Sequence, residues 1–293
     1  MSFRSPVRQG EYLKRRRSRY LRILYLILFT SFILAGLVVY ISRLDKFRIH
    51  DVVVTGTTLI EPFDVSKKSL DFLDGYYLWV FPKNNIFIYK KKDLHTYLEE
   101  NFSRIDQVSI RLGDGNSLLV NIQERLPYAL WCTRIETSEE GVQPEDCYFM
   151  DKSGIIYSKA PRFSGDAYFK YYGLIDSEDP IGKKYIQDEQ WFLSLGLFIK
   201  HIEKLGLNPY YMLATNEGEY DIVLLAGGKI LFNTQITLDS VAFNLEALLK
   251  SSTFASTTDF SNLDYIDLRY GNKLFYKLKS SNNDDSVYNL KDE

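Results

Sequence analysis

Three histidines, two cysteines and scattered carboxylates are the residues of this 293-residue chain that could do chemistry beyond packing. His50 falls in a strand-like stretch, and His95 and His201 fall in helix-like stretches among charged neighbours. A catalytic histidine needs a nucleophile or substrate proton within hydrogen-bond reach, and no fixed spacing in the sequence supplies one. No His-Glu-x-x-His, Gly-x-Ser-x-Gly or Gly-x-x-x-x-Gly-Lys segment occurs. Glu139-Glu140 is an acidic pair, but it sits in a polar stretch where solvated carboxylates are the ordinary outcome. The residues therefore read as a protein with no catalytic group, no cofactor and no metal. Cys132 and Cys147, the only cysteines, cannot by themselves supply the four ligands of a structural zinc site.

The two cysteines allow a different chemistry. Each ends a strand-like segment, and a polar loop over 133–146 with Gly141 and Pro144 lies between them. If the two strands pair antiparallel, a disulfide would clamp the base of that loop. Closing a loop of this size contributes roughly 3 kcal/mol in the chain-entropy picture. Two free buried thiols are the alternative, and the compartment favours the disulfide.

The compartment follows from the N-terminal segment. Residues 23–41 carry no charge, and Arg22 and Arg43 bracket them. As a helix the run spans roughly 28 Å, close to the hydrocarbon thickness of a bilayer. It is too long for the apolar core of a cleaved signal, and no A-x-A site follows. Ahead of it stand Arg4, Arg8, Lys14, Arg15, Arg16, Arg17, Arg19 and Arg22 against one acid, Glu11. That excess predicts a cytoplasmic N-terminus and a folded part on the outer side. The remaining chain holds 28 basic and 37 acidic residues, which argues against nucleic acid as the main partner.

The expected organisation is a basic tail over 1–22, a membrane helix over 23–42, a first module over 47–125, a β domain over 127–279 and a disordered tail over 280–293. In the first module, 47–55 reads as a strand and 61–73 as a helix with Asp64 or Ser66 near its start. A break rich in aromatics follows over 75–82. Then come a helix over 91–102 and strands over 105–112 and 118–123, separated by the turn Gly113-Asp-Gly-Asn116. In the β domain, strands fit 128–133, 147–151, 155–158, 170–175, 209–215, 219–225, 229–233, 263–270 and 273–279. Helices fit 188–205 and 237–250; Phe192, Leu195, Phe198, Ile199 and Ile202 keep helical spacing. The fold class is α+β: one membrane helix, a two-layer β-α-α-β-β module, and a larger, mainly antiparallel β domain with two helices.

Several segments resemble a family in this order. Residues 49–56, with Val52, Val54 and Gly56, come first, followed by Asn85-Ile-Phe87 and Lys92-Asp93-Leu94. The strongest match is Val120-Asn-Ile-Gln-Glu-Arg-Leu-Pro-Tyr-Ala-Leu-Trp131, similar to a Glu-Arg-x-Pro-x-Ala-x-Trp seam between two domains. Phe149-Met-Asp-Lys-Ser-Gly-Ile-Ile156 and Tyr265-Ile-Asp-Leu-Arg-Tyr-Gly-Asn272 complete it. Together they resemble the bacterial cell-division family FtsQ/DivIB over residues 15–278. The loop with the two cysteines is a departure from the pattern.

The resemblance implies a POTRA (polypeptide-transport-associated) module over 47–125 and a non-catalytic scaffold at the division septum, in the cytoplasmic membrane. It implies partners of the FtsB/DivIC and FtsL kind and a link to septal peptidoglycan synthesis. A last strand before a disordered tail would lie at a sheet edge, where unpaired backbone groups can accept a partner strand. The expected partner-binding residues are Arg269, Tyr270, Gly271, Asn272, Lys273, Leu274, Phe275, Tyr276 and Lys277. Alternation from 266 to 278 puts Ile266, Leu268, Tyr270, Leu274, Tyr276 and Leu278 toward the core. Phe275 is then an anchor on the outer face, with Arg269 and Lys273 free to meet carboxylates. The alternatives are a POTRA-containing protein-transport component, which lacks support because no barrel-like strands follow, and an extracytoplasmic cell-wall enzyme.

Overall fold

The structure, a computed structural model, describes residues 7–133, 137–138, 141–142, 146–163, 167–175, 178–251, 254, 260–271, 273–279 and 286–289. Helix α1 (Val7–Ser42) is continuous and carries both the basic segment and the apolar run, so the expected tail is helical from Val7. Its part from Arg17 to Ser42 contains an 18-residue stretch with a mean hydropathy of 2.4 and exposes its apolar side chains all round. That length and composition suit a membrane anchor or an export signal.

The chain divides into two compact units, Met1–Glu124 and Arg125–Glu293. In the first, a short turn of helix at Asp45–Phe47 precedes β1 (Asp51–Thr55), α2 (Pro62–Leu73), β2 (Tyr76–Tyr77), β3 (Phe81–Pro82), α3 (Lys91–Asn101), β4 (Ile105–Leu112) and β5 (Ser117–Glu124). The three long strands lie in the order β1-β5-β4; β1 runs parallel to β5, and β4 antiparallel to it. A parallel pair needs a crossover, and α2, α3 and β4 supply it. Val52, Val65, Leu73, Leu94, Leu98, Ile110 and Val120 interlock between the layers and are buried. Each contributes up to about 1.5–3 kcal/mol by leaving water.

Two local features hold this unit. Gly56 has φ +84°, and a Cβ there would lie 2.2 Å from the Ile122 carbonyl oxygen, so only glycine fits between β1 and β5. Helix α2 starts with Pro62 in its first turn, which suits a position whose amide has no helical partner. Neither Asp64 nor Ser66 caps it: the N-cap is Glu61 without a side-chain bond, and Ser66 Oγ instead donates to the Val52 carbonyl at 3.1 Å.

The second unit runs through β6 (Ala129–Cys132), a ribbon of β7 (Thr137–Ser138) and β8 (Gly141–Val142), β9 (Cys147–Met150), β10 (Ile156–Lys159) and β11 (Lys170–Tyr172). It continues with α4 (Glu189–Lys204), β12 (Pro209–Asn216), β13 (Glu219–Leu224), β14 (Lys229–Asn233), α5 (Leu238–Lys250), β15 (Leu263–Tyr270), β16 (Lys273–Leu278) and β17 (Ser286–Asn289). One mixed sheet of ten strands results among the described residues, in the order β10-β9-β6-β11-β12-β13-β14-β15-β16-β17. Most neighbours are antiparallel. Three pairs are parallel, β6–β11, β11–β12 and β14–β15, and the last two are joined through α4 and α5 respectively. Both helices pack into one core with Phe192, Leu195, Ile202, Val241, Leu245, Ile222 and Ile266. Gly196 on α4 makes room for Tyr128, whose hydroxyl would lie 2.1 Å from a Cβ at that position.

Candidate functional site

The C-terminal edge differs from the expectation in a decisive way. β16 is not the last strand. β17, from within the segment expected to be disordered, pairs antiparallel with it: Lys273 opposite Asn289, Leu274 opposite Tyr288, Phe275 opposite Val287 and Tyr276 opposite Ser286. Among the described residues the edge is therefore β17, and backbone pairing covers Lys273 to Tyr276. The physical reason is the one that made the edge attractive: an unpaired row of N–H and C=O groups takes up any nearby extended segment. Val287 and Tyr288 are β-prone residue types in a mostly polar tail.

The expected binding residues do not share one setting. Leu274 is fully buried, and Tyr276 is half-buried with its ring edge-on to Phe254 at 5.2 Å, so both belong to the core side. Gly271, with φ +68°, turns the chain between β15 and β16, and its carbonyl accepts from Asn244 Nδ2 of α5 at 2.6 Å. Asn272 lies outside the described residues. Lys273 is exposed and Lys277 half-buried. Tyr270, expected toward the core, is exposed, because the β15–β16 register shifts between Asp267 and Tyr270. Its ring meets Phe275 edge-on at 5.2 Å.

Arg269 also departs from the expectation. Its Nε and Nη2 donate to Asp267 Oδ1 and Oδ2 at 2.9 and 2.6 Å, and Nη1 lies 3.9 Å from Glu219. Hydrogen bonding to Asp267 raises the guanidinium pKa further above its ordinary value. Asp267 is buried, so the pair is a fixed part of the sheet, and the cation is already committed. Asp267 and Arg269 stand two apart on a strand and so share a face, a signal the alternation of the sequence contains. Beside them Lys229 Nζ donates to Asp221 Oδ2 at 2.9 Å. Lys229, Leu231, Tyr265, Asp267, Arg269, Tyr270 and Phe275 line a depression of about 570 Å³ on this outer face.

Far along the sheet, Cys132 and Cys147 face each other in the β6–β9 register and form a disulfide. A depression of about 420 Å³ beside it is lined by Leu130, Cys147, Phe163 and Tyr168 together with Lys159, Arg162 and Lys170. Among the described residues neither depression is lined by histidine or serine. Asp146 is ion-paired with Lys159 at 3.0 Å, as Asp267 is with Arg269. The histidines stay apart: His50 bonds the Asp45 carbonyl, His95 meets Glu99 at 3.2 Å, and His201 lies 3.9 Å from Glu246. No three of His, Cys, Asp and Glu gather to hold a metal ion among the described residues.

The seam residues each have a task. Glu124 Oε1 accepts from the amides of Thr58, Leu59 and Ile60 at 2.6, 2.9 and 3.0 Å. Arg125 Nη1 donates to Asp151 Oδ2, while Asp151 Oδ1 accepts from the amides of Ser153 and Ile155. Trp131 is buried and donates from Nε1 to the Gly173 carbonyl at 3.1 Å. Compared with models of known protein families the chain matches none, and comparison with curated proteins likewise finds no match.

Proposed function

We propose that this chain is a non-catalytic, membrane-tethered scaffold of the FtsQ/DivIB kind, which takes up a strand from an FtsB/DivIC-like coiled-coil partner, with an FtsL-like protein beside it, and links them to septal peptidoglycan synthesis. The reading rests on the order of parts: an apolar helix of membrane-spanning length, a POTRA-like β-α-α-β-β module, and a wide sheet that ends in the chain's last strands. The basic excess before the apolar run supports a cytoplasmic N-terminus. A disulfide in the second unit suits an extracytoplasmic location.

β17 changes how the partner would dock. Among the described residues its pairing covers Lys273 to Tyr276 of β16 (Lys273–Leu278). A partner strand that adds to β16 needs the same backbone groups that β17 uses, so it docks by strand exchange with β17. Phe275 and Tyr270 then offer an aromatic anchor beside the new strand.

Capture from detergent-solubilised membranes, with identification of the proteins retained, tests this. The full chain retains small coiled-coil membrane proteins, and deletion of residues 280–293 retains as much or more. Phe275→Asp loses them while the protein stays folded. Loss of capture on deleting the tail would mean that partners sit on β17 itself; unchanged capture by Phe275→Asp removes this edge as the docking site. A fluorescent fusion forms a midcell band, and a uniform envelope signal contradicts a septal role.

A further inference from the structure

The aromatic stretch 75–82 is a small hairpin, β2 and β3, whose tip is Leu78 and Trp79. Both tip residues have positive φ, 48° and 66°, a region that large L-residues rarely occupy. Both also point into open space: Leu78 is 83% and Trp79 92% exposed. Strained backbone that holds two large apolar side chains in water is not explained by packing within the unit.

The hairpin is fastened to the end of the apolar helix. Arg43 Nε, just past α1, donates to the Val80 carbonyl at 3.2 Å, and its guanidinium lies 5.7 Å from the Tyr76 ring centre. Asn85 Nδ2 donates to the carbonyl of Ser42, the last residue of α1, at 2.9 Å. Phe87, 75% exposed, packs its ring 5.6 Å from Phe47, and Lys90 Nζ stands 5.5 Å from the Tyr77 ring. Aromatic rings and long cations thus surround the point where the apolar run ends. This is the composition of the belt at a membrane–water boundary, where amphipathic rings sit at headgroup level and cations reach the phosphates.

We infer that the β2–β3 hairpin is an interfacial membrane anchor that inserts Leu78 and Trp79 into the outer leaflet of the bilayer crossed by α1. The inference rests on the reading of α1 as a membrane span. Its occupant is phospholipid, because the bonds to Ser42 and Arg43 hold the tip at the depth where the helix leaves the hydrocarbon. A second attachment beside the helix end would hold the first unit close against the membrane surface.

Trp79 is its own probe. The full chain is reconstituted in phosphatidylethanolamine–phosphatidylglycerol vesicles, and the Trp79 signal is taken as the difference from a Trp79→Phe variant. Because the side chain is exposed, that change leaves the fold intact. The Trp79 emission is expected to be blue-shifted, shielded from acrylamide, and quenched severalfold more by lipids brominated near the headgroup than by lipids brominated at the chain end. Carbonate extraction separates the two ideas. A chain that stays in the membrane with Trp79 open to acrylamide overturns the hairpin anchor alone. A chain released by carbonate overturns both the anchor and the span. Shielding from acrylamide without quenching by brominated lipid identifies a protein contact instead and overturns the lipid assignment.

Discussion

Asp267 and Arg269 lie two residues apart on one face of β15, and that spacing turns an expected surface cation into a structural one. Asp267 is buried and depends on the guanidinium for its charge balance. Removing one partner of a buried pair leaves the other charge uncompensated, at about 3–5 kcal/mol for full burial. Arg269 is partly exposed, so solvent screens part of this, and Arg269→Ala should cost about 2 kcal/mol. Lys273→Ala, at an exposed position, should stay within about 0.5 kcal/mol. Urea unfolding of the two variants checks the difference. Equal stabilities would mean that Asp267 is satisfied without Arg269. The contrast matters for the docking reading, since lost capture in Arg269→Ala would report a damaged sheet, whereas Phe275→Asp and Lys273→Ala report the surface.

Among the elements, those whose residues carry a period were legible from sequence. Phe192, Leu195, Phe198, Ile199 and Ile202 all lie buried on α4, whose start is fixed by Asp188 accepting from the amides of Gln190 and Trp191 at 2.9 and 3.1 Å. α5 begins in the same way at Thr237, which accepts from the Ser240 amide. The short elements were not legible. Two-residue strands such as β2 and β3 have no period to read, and Trp79 gives no sign of its exposure. β17 was hidden because a tail of Ser, Asn, Asp and Lys looks unable to order itself; pairing supplied by a waiting edge overrode composition. At the candidate site, Phe275 was legible as an outward aromatic, but the register shift that exposes Tyr270 was not. The cysteines were legible, because Cys132 closes β6, Cys147 opens β9 and the two strands are antiparallel neighbours. Their loop closure should contribute about 3 kcal/mol, so a reductant should lower the melting temperature of the second unit by about 6–12 °C. A Cys132→Ser, Cys147→Ser variant melted without reductant should match it. No shift in either would mean that the β6–β9 pairing alone fixes the loop.

At the scale of the whole molecule, Glu124 and Arg125 are adjacent in sequence yet bond into different units: Glu124 to the amides of 58–60, Arg125 to Asp151. Each unit also has its own apolar core. Two separate thermal transitions are therefore expected for the detergent-solubilised chain, each answering to its own chemistry. Burial alone would push the Glu124 carboxyl up. The three amide donors, Ile60 foremost, together with the charge of Arg104, overcome that and hold it below its ordinary 4.5. A carboxyl lowered by folding stabilises fully above its unfolded pKa, and that contribution is lost as pH falls through the folded one. At pH 7 Glu124→Gln should thus lower the first transition by about 4–8 °C, for roughly 1 kcal/mol in a unit of this size, and the difference should fade once the pH is well below 4.5. Reductant should move only the second transition, and Glu124→Gln only the first. Scanning calorimetry resolves both; a single transition that moves as one under either treatment would show the two units unfolding together, and the seam would then be a coupling element instead of a boundary.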